Sequence, residues 1–176
     1  IISNDNLHYA GELGLRPPEP IRKNALEADL VLVVGHRFNG VPNMAYKFPS
    51  SKQTFIHVIP DPNTIGKIFR TDVGIVADSE NFLEQLSKFA NNNTNNERDE
   101  WVKLCHHRYL NNDATLTPRK ANDGLDFAHF IDGLGEIAPE NSIITNDAGN
   151  FTSWIHHRFP FKSTMKLIGS EIGAMG

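Results

Sequence analysis

The sequence is poor in the residues that mark several function classes. It has one cysteine, Cys105, in 176 residues, so no disulfide can form within the chain, and a reducing, cytoplasmic setting suits it. No apolar run approaches the roughly 20 residues that a membrane-spanning helix needs. No signal-peptide pattern follows the opening Ile1-Ile2-Ser3. Lys and Arg number 17 against 21 Asp and Glu, a net charge of −4, which gives no basic footprint for nucleic acid. No internal repeat is visible. The pairs His106-His107 and His156-His157 do not make a metal motif, because adjacent helical side chains point about 100° apart and rarely share one ion. They read as surface histidines. Cys105 falls on an apolar helix face and reads as a buried, inert thiol.

What is present is an alternation of breakers, apolar runs and amphipathic stretches, with 39% hydrophobic residues. Residues 1–20 are irregular, interrupted by Gly11, Gly14, Pro17, Pro18 and Pro20. Ile21, Ala25 and Ala28 then share one face of a short helix. Leu30-Val31-Leu32-Val33-Val34 is a continuous apolar run of the kind buried on both faces of a parallel sheet. Gly35 follows at once, which places His36-Arg37-Phe38-Asn39 at the carboxyl end of that strand. Gly35 and Arg37 could hold a nucleotide phosphate, or Gly35 could simply allow a tight turn. Thr54 to Ile59 predicts a second strand, Thr64 to Arg70 a short helix and Val73 to Ala77 a third strand. Asp78 or Ser79 caps the next helix, whose apolar positions Phe82, Leu83, Leu86 and Phe89 keep helical spacing. The alternation predicts an α/β layer built on a parallel sheet.

Asn91 to Asn96 contains no apolar residue and reads as a boundary. A helix over Glu97 to Leu110 is expected to bury Trp101, Leu104 and Cys105. A polar link, Asn111 to Asp123, leads to a helix with Phe127, Phe130, Ile131 and Leu134 on one face. The expected organisation is therefore one domain over residues 1–95, a linker with a helix over 96–123 and a second unit over 124–176. In that unit a strand, Ser142 to Thr145, ends in the turn Asn146-Asp147-Ala148-Gly149. An amphipathic stretch with Trp154, a second strand Lys166 to Gly169 and the loop Gly173-Ala174-Met175-Gly176 follow. Strand, glycine turn and helix start is an arrangement that leaves backbone N–H groups free at the carboxyl end of a parallel sheet, a crevice suited to a phosphorylated cofactor. Asp147 either orients that turn or caps the helix after it, and Trp154 reads as a core or interface aromatic.

Asp147-Ala148-Gly149, then Trp154, then Gly-x-Met-Gly resembles the start of the cofactor-binding domain of thiamine diphosphate enzymes of the acetolactate synthase-like group. Ala28-Asp29-Leu30 through Gly35-His36-Arg37-Phe38 and Asp61-Pro62 through Lys67 resemble the central domain of the same enzymes. The resemblance implies a partial, Rossmann-like central domain followed by the first strands and helices of a second α/β domain that binds thiamine diphosphate. It implies an enzyme of 2-keto acids, a decarboxylase or carboligase using thiamine diphosphate and Mg²⁺, and a homo-oligomer, dimer or tetramer. The cofactor-binding residues it implies are Ala148, Gly149, Asn150, Phe151, Gly173 and Met175. Gly173 would offer its carbonyl to the aminopyrimidine, and Met175 would wedge the cofactor into its bent form. The glutamate that activates the cofactor and the metal ligands belong to parts of the family fold that this stretch does not contain, so no catalytic residue or metal ligand is assigned here. The stop at Gly176, where a glycine- and alanine-rich helix is expected, gives the expectation of a segment from a longer protein. Flavin-binding acetolactate synthases carry an acidic-acidic-basic run after Arg-Phe, where this chain has Asn39-Gly40-Val41, which argues against FAD. Two other readings remain: a Rossmann-like module binding FAD, NAD or an ADP moiety, and a non-catalytic structural homologue.

Overall fold

A computed structural model describes residues 2–14, 17–89, 96–112, 121–122 and 124–169. It is an α/β structure, and among the described residues every strand pairing is parallel. Two compact units are formed, Arg22–Asp99, and Ile1–Ile21 together with Glu100–Gly176. Residues 1–95 were expected to lie in one domain; by contact, the first twenty-one group instead with the later part of the chain.

The first of these units contains most of α1 (Glu19–Glu27), then β1 (Leu30–Val34), β2 (Thr54–Val58), β3 (Val73–Ile75) and α2 (Ser79–Lys88). The strands lie in the order β1-β2-β3, with Val31 opposite Phe55 and Val33 opposite His57. Gln53, just before β2, donates from its amide nitrogen to the carbonyls of Ala25 at 2.9 Å and Ala28 at 2.7 Å. It thereby satisfies groups that the end of α1 would otherwise leave open. Asp78 is the cap of α2, accepting from the backbone N–H groups of Glu80 and Asn81, because a carboxylate just before the first turn meets orphan donors there.

Three local expectations are corrected. The helix expected from Thr64 to Arg70 is only a 3₁₀ turn, Pro62–Thr64, capped by Asp61. Ile65 is already extended and Gly66 has φ +74°, so the chain leaves helical geometry before a second turn can close. The apolar run of β1 is not buried on both faces: Val31 and Val33 are, while Leu30 and Leu32 are 47% and 40% exposed. Strand alternation sends these two pairs to opposite faces, and only one face is covered here. Likewise α2 buries no residue, and its Phe89 is 80% exposed.

The other unit holds α4 (Phe127–Ile137), β4 (Ile143–Asn146), α5 (Thr152–Arg158), β5 (Lys166–Gly169) and, from Glu100 onward, α3 (Asn96–Leu110). β4 and β5 form a separate two-stranded parallel sheet, running from Ile143 opposite Lys166 to Asn146 opposite Gly169. Its core is Ile131, Phe159, Phe161 and Met165, with Leu134, Ile144, Trp154, Ile155 and Leu167 packed against it. Trp154 is thus a core-packing aromatic. On α4 the buried residues are Ala128 and Ile131, while Phe127 and Phe130 are exposed. On α3 only Cys105 is buried; Trp101 is half-buried and Leu104 exposed.

Candidate functional site

The turn that the sequence singles out leaves the carboxyl end of β4. Asp147 is exposed, Ala148 and Gly149 are half-buried, and Asn150 and Phe151 are exposed. Gly149 has φ +155°, and a Cβ there would lie 2.7 Å from Cε1 of Phe151. The absence of a side chain at 149 is what lets the Phe151 ring fold back over the turn. Asp147 does not cap α5: the cap position is Phe151, which makes no side-chain cap bond.

The first helical donors are not free either. Thr152, Ser153 and Trp154 donate their N–H groups to the carbonyls of Gly149, Asn150 and Phe151 at 3.2, 3.3 and 3.1 Å, and the Thr152 hydroxyl adds a bond to Gly149 O at 2.8 Å. The expectation of open helix-start donors is therefore corrected: any backbone donor at this turn comes from residues 147–151. Residues 146–152 carry one charge, the carboxylate of Asp147, and no cation. Such a turn can meet a diphosphate with amide donors and a ring face but cannot neutralise it.

Next to the turn, Asn146 stands opposite Gly169 at the ends of the paired strands. Its Oδ1 is buried without a hydrogen-bond partner, and a Cβ at 169 would come within 2.9 Å of it. Gly173 and Met175 lie outside the described residues.

At the carboxyl end of β1 the structure takes the tight-turn reading. Gly35 has φ +74°, its N–H donates to Val58 O at 2.8 Å, and a Cβ there would run into the Ser79 hydroxyl. Its N–H is thus unavailable to a phosphate. Phe38 is buried among Phe48, Phe55 and Phe69, and the remaining cavity beside Arg37, His57 and Thr64 is about 10 Å³, roughly space for one water. The Asp61 carboxyl is held below its usual range by the Asn63 backbone N–H and then the Thr64 hydroxyl, with Arg37 contributing less. A larger groove of about 430 Å³ opens beside Lys52, Gln53, Ile68, Arg70 and Asp72. It lies by the amino end of β2, opposite to where α/β sheets hold ligands.

Of the paired histidines His107 is exposed, as expected, whereas His106, His156 and His157 are half-buried. His106 Nδ1 is 2.7 Å from Tyr9 O, and His156 Nδ1 contacts the Glu12 carboxylate. Burial pushes the His157 pKa down, partly offset by Glu12 and reinforced by His156, and His157 Nδ1 is buried with no partner. Among the described residues no three His, Cys, Asp or Glu side chains gather to hold a metal, and no helix is long and apolar enough to cross a membrane. Sequence reasoning missed both the Asn146–Gly169 juxtaposition and the Glu12–His156 contact; each joins residues whose local sequence carries no sign of the other.

Residues 1–86 match the family described as thiamine pyrophosphate enzyme, central domain. The chain is 29% identical over 169 residues to the acetolactate synthase isozyme 1 large subunit of Escherichia coli, covering 94% of this chain and 29% of that protein. It is 28% identical over 154 residues to the acetolactate synthase large subunit of Lactococcus lactis, covering 86% and 26%. A putative thiamine pyrophosphate-containing protein of Bacillus subtilis, YdaP, is 24% identical over 179 residues, covering 100% of this chain and 30% of that one. The chain thus spans less than a third of the length of the curated relatives it matches.

Proposed function

Residues 1–86 belong to the central-domain family of thiamine pyrophosphate enzymes, and from that premise we propose that this chain is part of a thiamine diphosphate- and Mg²⁺-dependent enzyme acting on a 2-keto acid. The observation that carries the reading is one of order. Similarity to acetolactate synthase large subunits runs on past residue 86, through a parallel β4–turn–α5–β5 unit with Ala148 to Phe151 at its carboxyl end. Bound thiamine diphosphate supplies the carbanion chemistry that lets a 2-keto acid lose carbon dioxide. The product would be an aldehyde or, with a second carbonyl compound as acceptor, a longer hydroxyketone or hydroxy acid.

In this reading Ala148, Gly149, Asn150 and Phe151 form one wall against the cofactor. The wall would orient the cofactor and exclude water, and the diphosphate charge would be met by Mg²⁺ held by residues beyond this set. By the resemblance, Gly173 would accept a hydrogen bond from the aminopyrimidine and Met175 would lend an apolar side chain to the cofactor's pocket. The enzyme would work as a homo-oligomer in the cytoplasm. A nucleotide-binding module is the weaker alternative, because Gly35 N–H and the space beside Phe38 are already used within the protein.

The test is carbon dioxide release from pyruvate by the complete enzyme carrying this sequence, with and without thiamine diphosphate and Mg²⁺. Cofactor-dependent release supports the proposal; none with pyruvate or with a panel of other 2-keto acids overturns it. The 176-residue chain alone should release none above background. In the complete enzyme Met175→Ala should lower turnover about tenfold or more at saturating cofactor, since positioning contributes heavily to such chemistry, whereas Met175→Leu should be tolerated.

A further inference from the structure

Ile144 of β4 and Leu167 of β5 lie side by side in the paired strands, and both pack against the Ile131–Phe159 core. Strand alternation brings Asn146 and Gly169, the pair at the carboxyl ends, to the same side of the sheet. An apolar pair would extend the core there, yet the sequence sets a carboxamide beside a residue with no side chain. The Asn146 Oδ1 is buried and has no hydrogen-bond partner among the described residues. It therefore does not make the local bond to a following backbone N–H that asparagine commonly makes in a turn. Gly169 is what leaves it room, since a Cβ there would lie 2.9 Å from Oδ1. A buried acceptor left open in a folded protein calls for a partner. This one stands at the carboxyl ends of two parallel strands, where α/β sheets hold ligands.

We propose that Asn146 is a further cofactor-contacting residue, its Oδ1 accepting a hydrogen bond from the exocyclic amine of the aminopyrimidine of thiamine diphosphate. The proposal rests on the cofactor reading above and names one more residue of the same site. The chemistry of the groups selects the amine. An amide oxygen needs an N–H or O–H donor. The diphosphate presents negative charge and acceptor oxygens, and the thiazolium ring carries no N–H. The exocyclic amine is the cofactor's N–H donor, so it is the group that a buried acceptor can recognise. Its two N–H bonds make a contact with Asn146 compatible with one to the Gly173 carbonyl. Gly169 acts through Asn146: by lacking a Cβ it keeps the amide oxygen where it stands.

The experiment measures binding of two ligands to the complete enzyme with Mg²⁺ by fluorescence titration. One is thiamine diphosphate; the other is oxythiamine diphosphate, which has an oxygen in place of the exocyclic amine. The wild-type preference for the amine-bearing ligand should fall about fivefold in Asn146→Leu, the effect of one neutral hydrogen bond. Gly169→Ala, which displaces the amide oxygen, should lower it likewise and carries the comparison if Asn146→Leu does not fold. Asn146→Asp keeps an acceptor and should retain the preference, even where its charge weakens both ligands alike. Taking the ratio of the two affinities cancels any general loosening of the site. A ratio unchanged in Asn146→Leu and Gly169→Ala, or lost in Asn146→Asp, overturns the proposal and leaves the cofactor reading standing. Failure of the wild-type enzyme to bind thiamine diphosphate at all overturns both.

Discussion

Arg158, the last residue of α5, closes a two-pronged fork on Asp132 of α4: Nε donates to Oδ1 at 2.9 Å and Nη2 to Oδ2 at 2.6 Å. Both helices also lean on the Ile131–Phe159 core, so the fork fixes their rotation about a contact that apolar packing alone leaves free. Two-pronged geometry is specific to the guanidinium. Arg158→Lys should therefore behave like a loss rather than a conservative change. Asp132→Asn and Arg158→Lys should each lower stability by about 1 kcal/mol, a modest figure because the carboxylate is partly solvated. Urea denaturation midpoints at low and high salt check this, with the difference shrinking at high salt.

Gly35 is a second position where one residue type is dictated. A side chain there meets both a left-handed backbone, φ +74°, and the Ser79 hydroxyl. Gly35→Ala should cost roughly 2–3 kcal/mol, combining about 1 kcal/mol for the backbone with overpacking. Adding Ser79→Ala should recover the steric part and leave the backbone part. Denaturation curves of the two variants separate the contributions.

Stability should fall on both sides of neutrality for identifiable reasons. His157 has a folded pKa below its unfolded value, so its contribution is fully present above about pH 6.5 and is lost as pH drops through the folded value. Tyr9 has a folded pKa raised by burial, so its contribution is present below about pH 10 and is lost as pH rises beyond that. His157→Gln should flatten the acid limb, and Tyr9→Phe the alkaline limb, in thermal melts recorded as a function of pH. Each variant should leave the other limb unchanged.

Gly149 controls where the Phe151 ring lies. Gly149→Ala would set a methyl against Cε1 and Cδ1 of that ring, at 2.7 and 3.0 Å, and push it off the turn. In the complete enzyme, thiamine diphosphate affinity measured by fluorescence titration should weaken about tenfold. The unfolding midpoint should move by less than about 1 kcal/mol, since the displaced ring is already exposed. Phe151→Ala should weaken binding without affecting the turn.

Much of the scaffold was legible because its causes are local. The run Leu30 to Val34 became β1, Asp78 capped α2, and Ile143 to Asn146 and Lys166 to Gly169 became paired parallel strands. Apolar period, capping chemistry and turn residues act within a few positions, so the sequence carries them openly. The helix expected over Thr64 to Arg70 failed within the same local logic: Gly66 at positive φ outweighed a weak helical pattern.

What the sequence determined by itself is the alternation of strands and helices, the glycine turn after β4 and the family order in which they appear. Tertiary structure alone decided which face of β1 is covered. It brought Glu12 to His156 and Asp132 to Arg158, and it consumed the Gly35 and Thr152 N–H groups within the protein. The physical reason is that dihedral preference and hydrophobic period are properties of neighbouring residues, whereas burial and charge pairing depend on which distant segments the chain folds together.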